Sequence, residues 1–364
     1  MQIPIARPSP GPEETEAVAA VLASGIIAEG PVTRSFEHEF AAYSGAAHAV
    51  AMNNGTAALH AALLAAGVGS GDEVIVPAFT FFATASSVAM TGAKPVFADV
   101  LQDTCCIDPD SVCDRITEKT KAVIGVHLYG QPCDAFLLSG ICSDQGLVFI
   151  EDAAQAHGAM LNGVTAGSIG DLACFSFYAT KNMATGEGGM VTTGSVALHD
   201  RLRQIINHGQ AEKYIHTEIG YNYRMTDIAA AIGRVQLSKL DGFIQARQEN
   251  AGFFNEHIDV PGIITPVVAH GRSHVWHQYV IRVTGDAPLS RGELIRYLDE
   301  QGIGTAIHYP VPLHRQPVFA GIGSDAGVAC PVADELADEV LSLPVHPGVG
   351  AAERQYIVDA LNTI

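Results

Sequence analysis

Six short apolar runs, at 73–76, 95–98, 122–126, 147–150, 172–175 and 189–192, recur at intervals of about 20 residues. They are continuous rather than alternating, the pattern of strands covered on both faces. The gaps leave room for crossover helices between parallel neighbours. One such helix is predicted over 56–66, with Leu59 and Leu63 on one face. The chain is therefore expected to be α/β, a mostly parallel sheet with helices on both sides. Ligands in such folds sit beyond the carboxyl ends of the strands, so residues just after each run are the first site candidates.

Two helices are predicted ahead of the runs. Pro12 suits a first helical position, Glu13 and Glu14 suit the positive helix end, and Gly25 suits the stop. The second helix begins near Thr33, carries Phe36, Phe40 and Tyr43 at helical spacing, and ends at Gly45. Around 224–227 a long helix opens, with Ile228, Ile232, Val235, Leu237 and Leu240 as its apolar face. It is expected to join a large domain, 1–244, to a smaller C-terminal α/β domain, 245–364. In the latter, 278–283 reads as a strand, and Ser290 with Glu293 forms a capping box before Leu294, Tyr297 and Leu298.

A composition of 48% hydrophobic and 16% charged residues can fill a core of this size. Lys and Arg number 20 against 39 Asp and Glu, a net charge of −19. That balance argues against nucleic acid and against anionic membrane as partners. An anionic substrate would need positive charge concentrated locally. No apolar run reaches the roughly 18 residues of a membrane-spanning helix. The start, Met1 to Pro8, lacks the pattern of a signal peptide, so a cytoplasmic location is expected. The 7 cysteines include no C-x-x-C pair, which predicts reduced thiols rather than disulfides or a metal site. Cys174, inside an apolar run, is expected to be a buried small hydrophobe.

Three motifs carry chemistry. Asn53-Asn54-Gly55-Thr56 directly precedes a helix. A helix start with a glycine can cradle an anion on backbone N–H groups, and Thr56 adds a hydroxyl, although from these residues alone an ordinary N-cap is the favoured reading. Gly67 to Gly71 precedes a strand where a dinucleotide loop must follow one, so it is a turn. The second motif runs from Phe149 through Glu151, Asp152 and Gln155 to His157 and Gly158. Its carboxylates end an apolar strand, which places Asp152 at the functional edge of the sheet. His157 is either catalytic or a structural histidine. The third runs from Phe175 and Ser176 through Lys181 to Gly189. A lysine desolvated among small and apolar residues becomes a nucleophile toward carbonyls, whereas an isolated lysine is by default exposed. Together, a phosphate cradle, a carboxylate for a pyridine nitrogen and a lysine for an aldehyde are what a pyridoxal 5'-phosphate enzyme requires.

On these motifs the chain resembles the DegT/DnrJ/EryC1/StrS family of sugar aminotransferases, a branch of the fold-type I pyridoxal phosphate enzymes. The resemblance also runs through 54–59, 77–81, 220–225 and 308–310. It implies that Lys181 is the Schiff-base lysine and proton shuttle and that Asp152 is the partner of the ring nitrogen. Gln155 would lie near the phenolic oxygen, Gly55, Thr56 and Ser176 at the phosphate, and Phe81 stacked on the ring, with Phe82 as the competing position. Asn222 matches a residue that reaches the phosphate of a second subunit, which implies a homodimer with shared active sites. His308 and Tyr309 resemble substrate-facing residues, although side chains beside Pro310 can also simply pack a turn. Arg224 either meets substrate phosphates or caps the following helix.

The implied reaction is amino transfer from an amino acid, with glutamate as the expected donor, to a keto sugar. Family members that act as dehydratases carry histidine at the lysine position, and Lys181 disfavours that outcome. The tail Gly186-Glu187-Gly188-Gly189 is similar to members that aminate C4, which implies a nucleotide-linked 4-keto-6-deoxyhexose as acceptor. A 3-keto sugar and a keto-inositol are the alternatives. A non-catalytic sugar-binding or regulatory protein on the same fold is the alternative of another class.

Overall fold

The structure, a computed structural model, describes residues 1–321 and 329–364. A seven-stranded sheet forms its centre. Across it the strands run in the order His48–Met52, Gly189–Thr193, Leu172–Ser176, Val148–Asp152, Thr120–Val126, Glu73–Pro77 and Lys94–Ala98. Neighbours from Leu172–Ser176 to Lys94–Ala98 pair in parallel. Gly189–Thr193 is antiparallel to both of its neighbours. All six apolar runs are strands. His48–Met52 was not among them, because its two alanines and a histidine carry little strand propensity. Pairing with Gly189–Thr193 and burial of Val50, Ala51 and Met52 hold it in place.

The helices that frame the sheet start and stop as their sequences dictate. Pro12–Ser24 and Pro31–Ser44 each have proline in the first turn and end on a left-handed glycine, Gly25 and Gly45. The second begins at Pro31 rather than near Thr33. Its N-terminus is satisfied at a distance: Asp227 accepts from the backbone N–H of Gly30, Val32 and Thr33 and from the Thr33 hydroxyl. Gly55–Ala65 is capped by Asn54, which accepts from the Ala57 N–H.

The long helix Asp227–His257 runs 31 residues, and Thr226 caps it. Ala230, Leu240 and Ile244 pack into the core that holds Phe36, Phe40 and Phe177. Farther along, Ala251 and Phe254 join a different core with Trp276, Tyr279, Leu294 and Ile357. The division expected at 244/245 thus falls within one unbroken helix, near the point where it changes cores. The second core also takes in Ile3, from the other end of the chain. Its sheet has three antiparallel strands, Ile263–Ile264, Tyr279–Val283 and Val340–Leu343. The Ser290 capping box opens Arg291–Glu300 as read from the sequence. Among the described residues no helix is long and apolar enough to cross a membrane.

Candidate active site

The carboxyl ends of the strands converge on one cavity of about 800 Å³. Asp152 ends Val148–Asp152, Ser176 ends Leu172–Ser176, and Gly55 opens the helix after His48–Met52. These residues share the cavity wall with Thr56, Phe81, Gln155, Lys181, His308 and Tyr309.

Asp152 is only 5% exposed. Its Oδ2 accepts from the Thr84 hydroxyl at 2.9 Å and its Oδ1 from the Ala154 N–H at 3.2 Å. Burial raises its pKa, opposed by Thr84, Ala154 and the charge of Lys181. Glu151, the adjacent carboxylate, points to the opposite face, as successive strand residues must. There it accepts from the N–H groups of Gly167, Ile169 and Gly170 and pairs with His127 at 2.8 Å. Burial opposes its charge, but these partners win and lower its pKa. Glu151 is structural, and of these two only Asp152 faces the cavity.

Lys181 lies on the loop between Leu172–Ser176 and Gly189–Thr193. Its N–H donates to the Tyr178 carbonyl, and the next residue, Asn182, donates to the Val275 carbonyl. Its Nζ has no hydrogen-bond partner among the described residues. Burial lowers its pKa to about 8, with Asp152 pulling the other way. By accessible surface Lys181 is half-buried at the cavity.

The cradle is built at backbone distance. A Cβ on Gly55 would fall 2.8 Å from the Ser176 Cβ, and one on Gly189 would fall 2.4 Å from the Asn54 carbonyl oxygen. Only glycine permits that approach. Asn54 satisfies Ala57, which leaves the Gly55 and Thr56 N–H groups without partners among the described residues, at a positive helix end. Gln155 is held from both sides: its Oε1 accepts from the Tyr129 N–H at 2.7 Å, and its Nε2 donates to the Tyr309 hydroxyl at 3.1 Å. A buried carboxylate, an unpartnered amine, free helix-start N–H groups and an oriented amide make a donor set that fits pyridoxal phosphate.

Phe81 borders the cavity with its ring 5.9 Å from that of Tyr309, whereas Phe82 turns away to Phe319 at 5.5 Å. Of the two, only Phe81 lines the cavity. His308 and Tyr309 both face the cavity; His308 Nδ1 lies 2.8 Å from the Ser342 hydroxyl. Burial, then Lys181, lowers the His308 pKa to about 4, and burial raises that of Tyr309. Asn222 is exposed and lies outside its own chain's cavity. Arg224 does not line its own chain's cavity and does not cap the following helix. It donates to Asn207 at 2.7 Å, away from the cavity, and Thr226 supplies the helix cap. His157 packs among Phe40, Phe175 and Phe177, and burial lowers its pKa to about 3. It is a core histidine. Cys174 is buried at the cavity floor.

Sequence reasoning missed Thr84, Tyr129, His277 and Gln278. Thr84 and His277 follow no apolar run, and Tyr129 and Gln278 flank strands without belonging to a motif. Thr84 reaches Asp152 from the helix Ala83–Met90, and His277 and Gln278 arrive from the second core.

A family model for the DegT/DnrJ/EryC1/StrS aminotransferase family matches residues 8–362. A protein of Geobacillus stearothermophilus named pleiotropic regulatory protein is 45% identical over 354 residues, covering 96% of this chain and 94% of its own. The dTDP-3-amino-3,4,6-trideoxy-alpha-D-glucose transaminase of Streptomyces venezuelae is 41% identical over 351 residues, covering 96% and 91%. The crystal structure of DesV from S. venezuelae superposes with a TM-score of 0.92 at 40% identity, over 97% of this chain and 94% of that one. With the motifs gathered in one cavity and the match running almost end to end, the chain belongs to the DegT/DnrJ/EryC1/StrS aminotransferase family.

Proposed function

We propose that this chain is a pyridoxal-phosphate-dependent aminotransferase that moves the amino group of an amino acid, with glutamate as the expected donor, onto a keto group of a nucleotide-linked sugar. The observation that carries the reading is the meeting of Lys181 and Asp152 in one cavity, with the Gly55 helix start at its wall. When bound, pyridoxal phosphate supplies an aldehyde to carry the amino group and a ring that takes up electrons from the substrate carbon.

The chain's own residues do the rest. Gly55 and Thr56 offer backbone N–H groups, and Thr56 and Ser176 hydroxyls, to the phosphate. The Asp152 carboxylate, anchored by Thr84 and Ala154, would hold a proton on the ring nitrogen. Gln155 keeps one N–H of its amide free, which would serve the phenolic oxygen, and Phe81 would cover the ring. Lys181 Nζ, with its pKa near 8, can take a proton and return it near neutral pH. His308 and Tyr309 orient the acceptor. Asn222 of a second copy completes the phosphate site, so the working unit is a homodimer.

The acceptor is proposed as a 4-keto-6-deoxyhexose, because Glu187 borders the cavity in the tail similar to C4-aminating members. Amination at C3 is the second reading, favoured by the S. venezuelae relative, which is named for a 3-amino sugar. Offering nucleotide-linked 4-keto and 3-keto sugars and a keto-inositol to the aminated protein, followed by NMR of the product, tests both. Nitrogen on C4 supports the first, nitrogen on C3 the second, and turnover of none of them defeats the proposal.

A further inference from the structure

The turn after the strand Thr120–Val126 carries Tyr129, which the proposed chemistry does not use. It is buried and has φ +59, an uncommon conformation for a bulky residue. Each of its three polar groups reaches a different residue of the cavity wall. Its N–H donates to Gln155 Oε1 at 2.7 Å. Its carbonyl accepts from the Gln278 N–H at 3.2 Å. Its hydroxyl donates to the His308 carbonyl. Next to it, Gly130 has φ +106, and a Cβ there would lie 3.0 Å from the His277 nitrogen and 3.1 Å from the Gln155 carbonyl oxygen. The turn is thus wedged between Gln155, from the large sheet, and the 277–278 and 308–309 segments that line the opposite wall. Tyr129 itself is not part of that wall. It borders instead a separate cavity of about 390 Å³.

We infer that Tyr129 is a positioning residue for the acceptor: its hydroxyl holds the His308–Tyr309 segment against the cavity while its N–H turns the Gln155 amide so that the NH₂ faces inward. The inference rests on the aminotransferase reading above. The physical basis is that a side-chain amide whose oxygen is fixed by a backbone donor has only one way to point its nitrogen. Gln155 holds the second wall only through the Tyr309 side chain, and the backbone of the same segment meets the large sheet again only past it, where the Leu313 N–H donates to the Ala78 carbonyl at 2.7 Å. The hydroxyl of Tyr129 instead grips the backbone, so it sets where both His308 and Tyr309 sit.

Tyr129→Phe tests this with little disturbance, since it keeps the ring and both backbone bonds. In the holoenzyme, the KM for a keto sugar that the wild type aminates should rise about tenfold, the size of one lost hydrogen bond. The kcat should stay within about threefold, and the half-reaction with L-glutamate, followed by cofactor absorbance, should not change. An unchanged sugar KM overturns the inference, as does an equal loss in both half-reactions together with a lower Tm, the mark of a merely structural role. Amide hydrogen exchange supplies a readout that needs no turnover. Exchange across 306–311 should quicken about tenfold in Tyr129→Phe while Thr120–Val126 stays protected. Unchanged exchange there overturns the inference whatever the enzyme does, whereas quickened exchange in a protein that aminates no sugar supports the tie and defeats only the functional reading.

Discussion

Gln155 donates from Nε2 to the Tyr309 hydroxyl at 3.1 Å across 154 positions of sequence. One partner follows the strand Val148–Asp152, and the other precedes the helical turns that begin at Leu313. Their meeting joins two walls of the cavity. It also orders the site by distance from the sheet: Asp152 at the strand end, Gln155 one turn farther, and Tyr309 on the facing wall.

The pKa of Lys181 has a direct chemical consequence. With it lowered to about 8, the amine of the cofactor-free protein should react with an amine-selective acylating reagent with a midpoint near pH 8 rather than 10.5. Reactivity rises with pH because the neutral form is the nucleophile. Asp152→Asn removes the one charge that raises this pKa, so the midpoint should move lower still. Peptide mapping at a series of pH values reads both, and a midpoint near 10 would contradict the burial of this amine. Lys181→Ala should abolish amino transfer while retaining cofactor binding through the phosphate cradle.

Asp152 needs its charge and its orientation separately. Asp152→Asn keeps the size and loses the charge, and should slow the donor half-reaction by roughly 10²–10³-fold. Thr84→Val keeps the charge and removes the hydroxyl that grips Oδ2. A hydrogen bond to a charged group contributes about 1.5–3 kcal/mol, so cofactor affinity of the apoprotein should fall at least tenfold. Thr84→Ser should restore it. Equal affinities in the Val and Ser variants would mean that the hydroxyl does not matter.

The proposed reach of Asn222 into a second subunit's site predicts complementation between chains. Lys181→Ala and an Asn222→Ala variant impaired in cofactor binding should each have little activity. Mixed and allowed to exchange, they should regain a fraction, since one of the two sites in a heterodimer receives both residues. Absence of recovery after subunit exchange, verified with two tagged chains, would leave Asn222 as a residue of its own chain alone.

His157 gives a stability prediction unconnected with catalysis. Unfolded, it binds a proton below about pH 6.5; folded, burial lowers that to about 3. Its contribution is therefore complete above pH 6.5 and is lost as the pH falls from there toward 3, at about 1.4 kcal/mol per unit. His157→Phe should remove one proton from that slope when denaturation midpoints are compared between pH 4 and 6.5. An unchanged slope would show that the folded ring titrates normally.

Local sequence determined much of this protein. Continuous apolar runs are strands because only a covered sheet can bury them. Pro12, Gly25 and Ser290 set helix ends because capping depends on a few neighbouring residues. The motifs around Asp152 and Lys181 were legible because each follows an apolar run, at the edge where such folds bind ligands, and that at Gly55 because it opens a helix. Tertiary structure decided the rest. Nothing local separates Glu151 from Asp152; the pleat sends one to the backbone donors of 167–170 and the other to the cavity. The role of Arg224 depended on where Asn207 lies, and that of His157 on three phenylalanines brought together by folding. Thr84, Tyr129, His277 and Gln278 acquire their places only when distant segments meet, because a hydrogen bond between residues far apart in the chain leaves no periodicity or spacing to read.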